Sequence, residues 1–195
     1  MWHAEKAPEL AAEYLSDLGP RWAHIQTVGR LADRMVEDHG LPTDIAAAAW
    51  LHDIGYAPAL AVTGFHPVDG ALFLADQGAA DRVVSLVAHH TGARFEAEER
   101  GLESELGQFP LPQADDLDAL TLLDLVASPT GSLTSPDERV AEILSRYPED
   151  HPVHRAVTRS RSLLLGSAAR ARARLGLSDV WPAGFLECVG ETQSH

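Results

Sequence analysis

The stretch that most constrains this chain is 44–54, DIAAAAWLHDI, which is apolar almost all round until it ends on the pair His52-Asp53. A helix without a polar face has to be buried, so the rest of the chain must wrap it, and the His-Asp pair goes inside with it. Neighbouring segments have the stripes to do the wrapping. Residues 21–39 set Val28, Leu31, Ala32 and Met35 on one face and stop at Gly40. Residues 80–90 repeat the pattern with Val83, Leu86, Val87 and His90, and 115–127 with Leu117, Leu120, Leu123 and Asp124.

Gly and Pro punctuation marks the other elements. Helices are expected at 8–18, closed by Gly19-Pro20, at 66–77, closed by Gly78, and at 96–106, which reads as short and exposed. A Ser-, Pro- and Gly-rich loop at 128–136 leads to helices at 136–147 and 152–175, and the chain from Gly176 reads as irregular. Ala and Leu dominate, aromatic residues make up only 6 %, and β-branched runs at period two are scarce. The predicted fold is therefore all-α, one compact bundle with an additional long C-terminal helix.

Charge narrows the partners. A net charge of −14 repels a nucleic-acid backbone and an anionic membrane, but not a small phosphorylated molecule held by one or two cations. Lys6 is the only lysine, so such a clamp would use arginine. Cys188 is the only cysteine, which excludes an intramolecular disulfide and a thiolate zinc site. No signal peptide and no membrane-spanning run is read, so a cytoplasmic location is expected.

Of the ten histidines, His3, His39, His151, His154 and His195 lie near ends or in polar contexts and read as solvated or capping side chains. The others differ in kind. His24, His52, His66, His89 and His90, with Asp53 and Asp124, fall on apolar faces or at the ends of apolar helices. Left unpartnered, each would carry a desolvation cost, and a shared metal centre satisfies all seven at once. Imidazole and carboxylate without thiolate suit one or two divalent transition-metal ions, iron or manganese foremost, with zinc, nickel or cobalt as alternatives. Seven donors exceed what one structural ion takes, and the two oxygens of Asp53 suit it to bridge a pair.

The ordered set of His24, His52-Asp53 in AAWLHDIGYA, His66 in HPVDGALFL, His89-His90 in LVAHHTG and then Asp124 resembles the HD-domain superfamily of metal-dependent phosphohydrolases. It is similar in particular to the HDIG branch, which includes cyclic-dinucleotide phosphodiesterases. The resemblance covers a motif core of about 20–127 in a single HD domain of 1–195, with a helical extension of about 136–195. It implies that His24, His52, Asp53 and Asp124 hold one ion and His66, His89 and His90 a second, with Asp53 between them. Tyr56 stands where many HDIG proteins have lysine, and the Gly-Tyr-Pro extension of cyclic-di-GMP enzymes is missing from Gly55-Tyr56-Ala57-Pro58.

The chemistry expected is hydrolysis of a phosphate ester of a small metabolite or nucleotide, with His52 and Asp53 at its centre and a metal-activated hydroxide as nucleophile. Arg94, Arg100, Arg21, Tyr56 and Thr91 are the candidate substrate contacts. The arginines of the last helix (Arg155, Arg159, Arg161, Arg170, Arg172, Arg174) read as a solvated face. Two alternatives stand beside hydrolysis. One is a mixed-valent diiron oxygenase, whose sites generally use one histidine where this chain has His89-His90. The other is a non-catalytic, metal-stabilised regulatory module, with the long C-terminal helix available for a homodimer.

Overall fold

A computed structural model describes residues 2–178, 181 and 182. Among these the secondary structure is helical, apart from an isolated β-bridge between Ala127 and Leu133. The helices are α1 (Ala7–Leu15), α2 (Pro20–His39), α3 (Thr43–Leu51), α4 (His66–Asp76), α5 (Asp81–His89), α6 (Ala93–Arg100), α7 (Glu103–Gly107), α8 (Ala114–Leu125), α9 (Pro136–Arg146) and α10 (Pro152–Arg174). No helix of the described residues is long and apolar enough to cross a membrane.

Helix α3 takes the central place its sequence predicts: every residue from Ile45 to Leu51 is buried. It is packed by α1, α2, α5 and α8. The two helices α2 and α3 approach closely at Gly29, where an added Cβ would fall 2.2 Å from the Trp50 ring. Trp50 thus lies flat on a helix face that has no side chain at that point, and its indole Nε1 donates to Asp33 Oδ2 at 3.0 Å.

Two segments differ from the expected boundaries in ways that matter for the site. The expected 44–54 helix ends at Leu51, leaving His52 and Asp53 in a turn before the 3-10 turn Ile54–Tyr56. The expected single helix at 96–106 is instead α6 and α7, divided at Gly101, whose left-handed φ of 69° ends α6. The expected irregular tail from Gly176 lies mostly outside the described residues.

Helix α9 begins with a reciprocal cap in which Ser135 Oγ accepts from Glu138 N and the Glu138 carboxylate accepts from Ser135 N. Helix α10 then crosses back over α6 and α8. Its arginines are exposed, as the solvated-face reading expects, except the half-buried Arg172, but several of them also pair across helices. Arg155 and Arg159 pair with Glu99 on α6, and Arg170 grips Asp118 on α8 through Nε and Nη2, both at 2.8 Å. Arg174 reaches Asp115 and Asp118. These ion pairs fasten α10 to the bundle, and α10 in turn helps roof the site.

Candidate metal centre

Five segments bring six of the seven expected donors together. His24 comes from the second turn of α2, His52 and Asp53 from the end of α3, His66 from the first residue of α4, His90 from just beyond α5, and Asp124 from the last turn of α8. His52, Asp53, His24, His90 and Asp124 are all buried. Their donor atoms form two triads, His24–His52–Asp53 and Asp53–His66–His90, which share Asp53.

The orientation of each ring is fixed from behind. His24 Nδ1 lies 3.2 Å from Ser128 O, His52 Nδ1 2.8 Å from Ala49 O, and His90 Nδ1 2.7 Å from Val87 O. A carbonyl can only accept, so each Nδ1 carries the proton and each Nε2 presents a lone pair. The lone pairs of His24 and His52 face one another, Nε2 to Nε2 at 3.3 Å, and that of His90 faces His66 Nε2 at 3.2 Å. Two acceptors at the His24–His52 distance repel unless a cation lies between them. Ligands about 2.1 Å from an ion and at right angles to each other stand about 3 Å apart, which is the spacing seen. The donor set therefore fits a pair of transition-metal ions.

Asp53 divides its oxygens between the two triads. Oδ2 lies 3.7 Å from His52 Nε2, while Oδ1 lies 3.3 Å from His66 Nε2 and 3.8 Å from His90 Nε2. Asp124 borders the first triad, with Oδ1 3.0 Å from His24 Nε2 and 3.9 Å from His52 Nε2. Burial pushes the Asp53 carboxyl up, but His52, Arg21 and His66 outweigh it and hold it well below the usual carboxylate range. Asp124 is also held low: burial opposes ionisation, and the neighbouring His24 and His52, with Arg139, overcome it. Burial lowers His66 and His90, keeping their rings neutral, as metal ligation requires.

His89 is not brought to the cluster. Helix α5 ends at His89, and its Nε2 lies 3.1 Å from Phe109 O. The chain then turns through Thr91, a β-branched residue in the left-handed region (φ 39°, ψ 48°), and this turn follows directly on His90 at the cluster. Thr91 Oγ1 donates a short hydrogen bond to Asp124 Oδ2, leaving Oδ1 to face the histidines.

Beside the cluster lies a cavity of about 330 Å³. Of the expected substrate contacts, Arg21, Tyr56 and Thr91 line it, whereas Arg94 and Arg100 do not. Arg94 lies over the Phe95 ring, and Arg100 pairs with Glu96 one turn back on α6 at 2.7 Å. Arg21 Nη1 donates to Asp53 Oδ2 at 2.5 Å, and its guanidinium carbon sits 3.4 Å above the Tyr56 ring. His66 is also stacked on Tyr56, with ring centres 3.9 Å apart. Tyr56 is thus a platform for both Arg21 and His66. The cavity also holds residues that sequence reasoning missed: Arg139, Arg146 and Tyr147 from the α9 end, with Val157 and Leu164 from α10. No local signal marks them, because α9 and α10 reach the cluster only through the tertiary fold.

Comparison with known proteins gives one family match and two relatives. The family model described as HD domain matches residues 21–126, more than half of the chain. Two curated relatives are similar in sequence, both tRNA (cytidine(56)-2'-O)-methyltransferases. The protein of Picrophilus torridus is 31 % identical over 159 residues, covering 79 % of this chain and 42 % of its own length. That of Thermoplasma volcanium is 38 % identical over 77 residues, covering 39 % of this chain and 22 % of its own. The chain thus spans less than half the length of the curated relatives it matches. No solved structure matches the chain.

Proposed function

The chain belongs to the HD-domain family, and from that premise we propose that it is a cytoplasmic metal-dependent hydrolase of small phosphate esters. The observation that carries this reading is the division of Asp53 between two imidazole pairs, beside a cavity walled by Arg21, Arg139 and Arg146. Six donors remain in the proposed ligand set, His24, His52, Asp53, His66, His90 and Asp124, with iron or manganese the preferred ions. When bound, the ions supply hydroxide at neutral pH and polarise a phosphoryl oxygen.

The chain's own residues do the rest. Arg21 holds Asp53 through one guanidinium nitrogen and offers the remaining donors to the cavity, where a phosphoryl oxygen can take two of them. Tyr56 keeps Arg21 and His66 in register by stacking between them. Thr91 fixes the rotation of Asp124. Val157 and Leu164 form an apolar wall that limits water around the reacting centre.

Methylation of tRNA, named for the two relatives, is not carried over. The matched stretch is a minor part of those proteins, and a net charge of −14 opposes a polyanionic substrate. Oxygenase chemistry stays as a second reading on one observation: of His89 and His90, only His90 reaches the cluster. The discriminating experiment is phosphate release from a panel of phosphate monoesters by iron- or manganese-loaded protein under strict anaerobiosis. Hydrolysis that persists without oxygen and disappears in Asp53→Asn supports the proposal. Oxygen consumption without phosphate release would replace it with the oxygenase reading.

A further inference from the structure

Arg139 stands out among the cavity residues that neither the motif nor the metal cluster accounts for. It is contributed by α9, outside the stretch matched by the family model. Its side chain is only 10 % exposed, and it lines the cavity. One guanidinium nitrogen, Nη1, is held in a short ion pair by Glu142 on the next turn. Its Nε is buried with no hydrogen-bond partner among the described residues. A buried guanidinium donor without an acceptor carries a desolvation cost with no return in the free protein. Arg139 shares that cavity with Asp53, Asp124, His24, His66 and His90 of the metal cluster.

We propose that Arg139 is a substrate-binding residue which, with Arg21 across the cavity, clamps the anionic head of a small phosphate monoester, and that Glu142 is its positioning residue. This rests on the phosphohydrolase reading for the identity of the anion. Glu142 bridges Arg139 and Arg146, the latter at 3.3 Å, and so keeps the guanidinium of Arg139 from folding back to solvent. A planar guanidinium with free donors matches two phosphoryl oxygens, which an ammonium cannot do. The rest of the cavity wall is mixed, with Ile143, Val157 and Leu164 beside the polar Glu96, Arg146 and Tyr147.

The test is calorimetric titration of inorganic phosphate into the metal-loaded full chain, with metal content measured on each sample. Arg139→Ala should weaken phosphate binding at least tenfold at unchanged metal content, with part of the loss restored by added guanidinium. Arg139→Lys, which keeps the charge and the volume, should fall between, and Glu142→Gln should weaken binding less than Arg139→Ala. The exposed Arg30→Ala is the control and should bind as wild type. Wild-type affinity in Arg139→Ala and Arg139→Lys would overturn the proposal even if the protein hydrolyses phosphate esters. Arg139-dependent phosphate binding without any hydrolysis would sink the phosphohydrolase reading and leave the anion site standing. Absence of phosphate binding by the metal-loaded wild type would overturn the clamp itself.

Discussion

Replacing Gly55 with alanine should loosen half of the metal centre without touching a ligand. Gly55 lies two residues after Asp53 in the 3-10 turn, and its φ is not in the left-handed region, so the glycine is not there for a turn. It is there for space. A Cβ at this position would lie 2.1 Å from His66 O, 2.6 Å from Gly70 N and 2.9 Å from His66 C. All three are backbone atoms of the first turns of α4, so no rotamer change relieves the clash. The turn and α4 must separate by about 1 Å, at a cost of roughly 1–3 kcal/mol by the usual scale for overpacking. For a domain of this size that is a fall in melting temperature of about 3–10 °C. The same shift carries His66 away from Asp53 Oδ1, now 3.3 Å from its Nε2. Metal sites tolerate displacements of about 0.2 Å, so affinity for the ion between Asp53, His66 and His90 should drop about 10–100-fold. Melting curves and metal retention after dialysis against a graded chelator read both effects. Unchanged melting together with full retention of both ions would refute the reasoning.

Other perturbations separate the site from its scaffold. Thr91→Val removes the hydroxyl that orients Asp124, and about a tenfold loss of metal affinity is expected from chelator competition, with Thr91→Ser close to wild type. Gly29→Ala forces a Cβ against the Trp50 ring, so melting should fall by several degrees while metal stoichiometry stays the same. Asp118 provides the pH test. Burial pushes its carboxyl up, but hydrogen bonds from Arg170, Ser167 and Arg174 outweigh burial and hold it below its ordinary value. The corresponding stability is fully present above about pH 4 and is lost as pH falls through the folded value. Asp118→Asn should therefore be less stable than wild type at neutral pH and lose less on acidification, as read by denaturant melts from pH 7 to 3.

The helices were readable because their signals are local: an apolar period, a stop at Gly40 or Gly78, a proline at a first turn. The split of α6 from α7 was missed because Gly101 sits in a run whose charged residues give a weak stripe. His89 shows how a motif can say more than the period does. Val83, Leu86, Val87 and His90 fall on one helical face, and His89 lies off it. The left-handed turn at Thr91 then fixes His90 toward the cluster, while Phe109 O takes His89. Arg139 and the α10 arginines could not be read locally. Arg139 reaches the cavity only through the tertiary fold, and the α10 arginines find partners on α6 and α8, with 60 residues between Arg159 and Glu99. The same substitution of burial for period explains Arg94 and Arg100, which lie near the motif in sequence but are spent on Phe95 and Glu96.

The central claim is a two-ion centre in which Asp53 serves both triads, and metal counting on paired variants tests it most directly. Protein reconstituted with ferrous or manganous ion under reducing conditions should hold two ions per chain. His66→Ala should keep one, His24→Ala should keep one, and Asp53→Ala should hold neither tightly. A single ion in the wild type that survives His66→Ala, or two ions that survive Asp53→Ala, would contradict it.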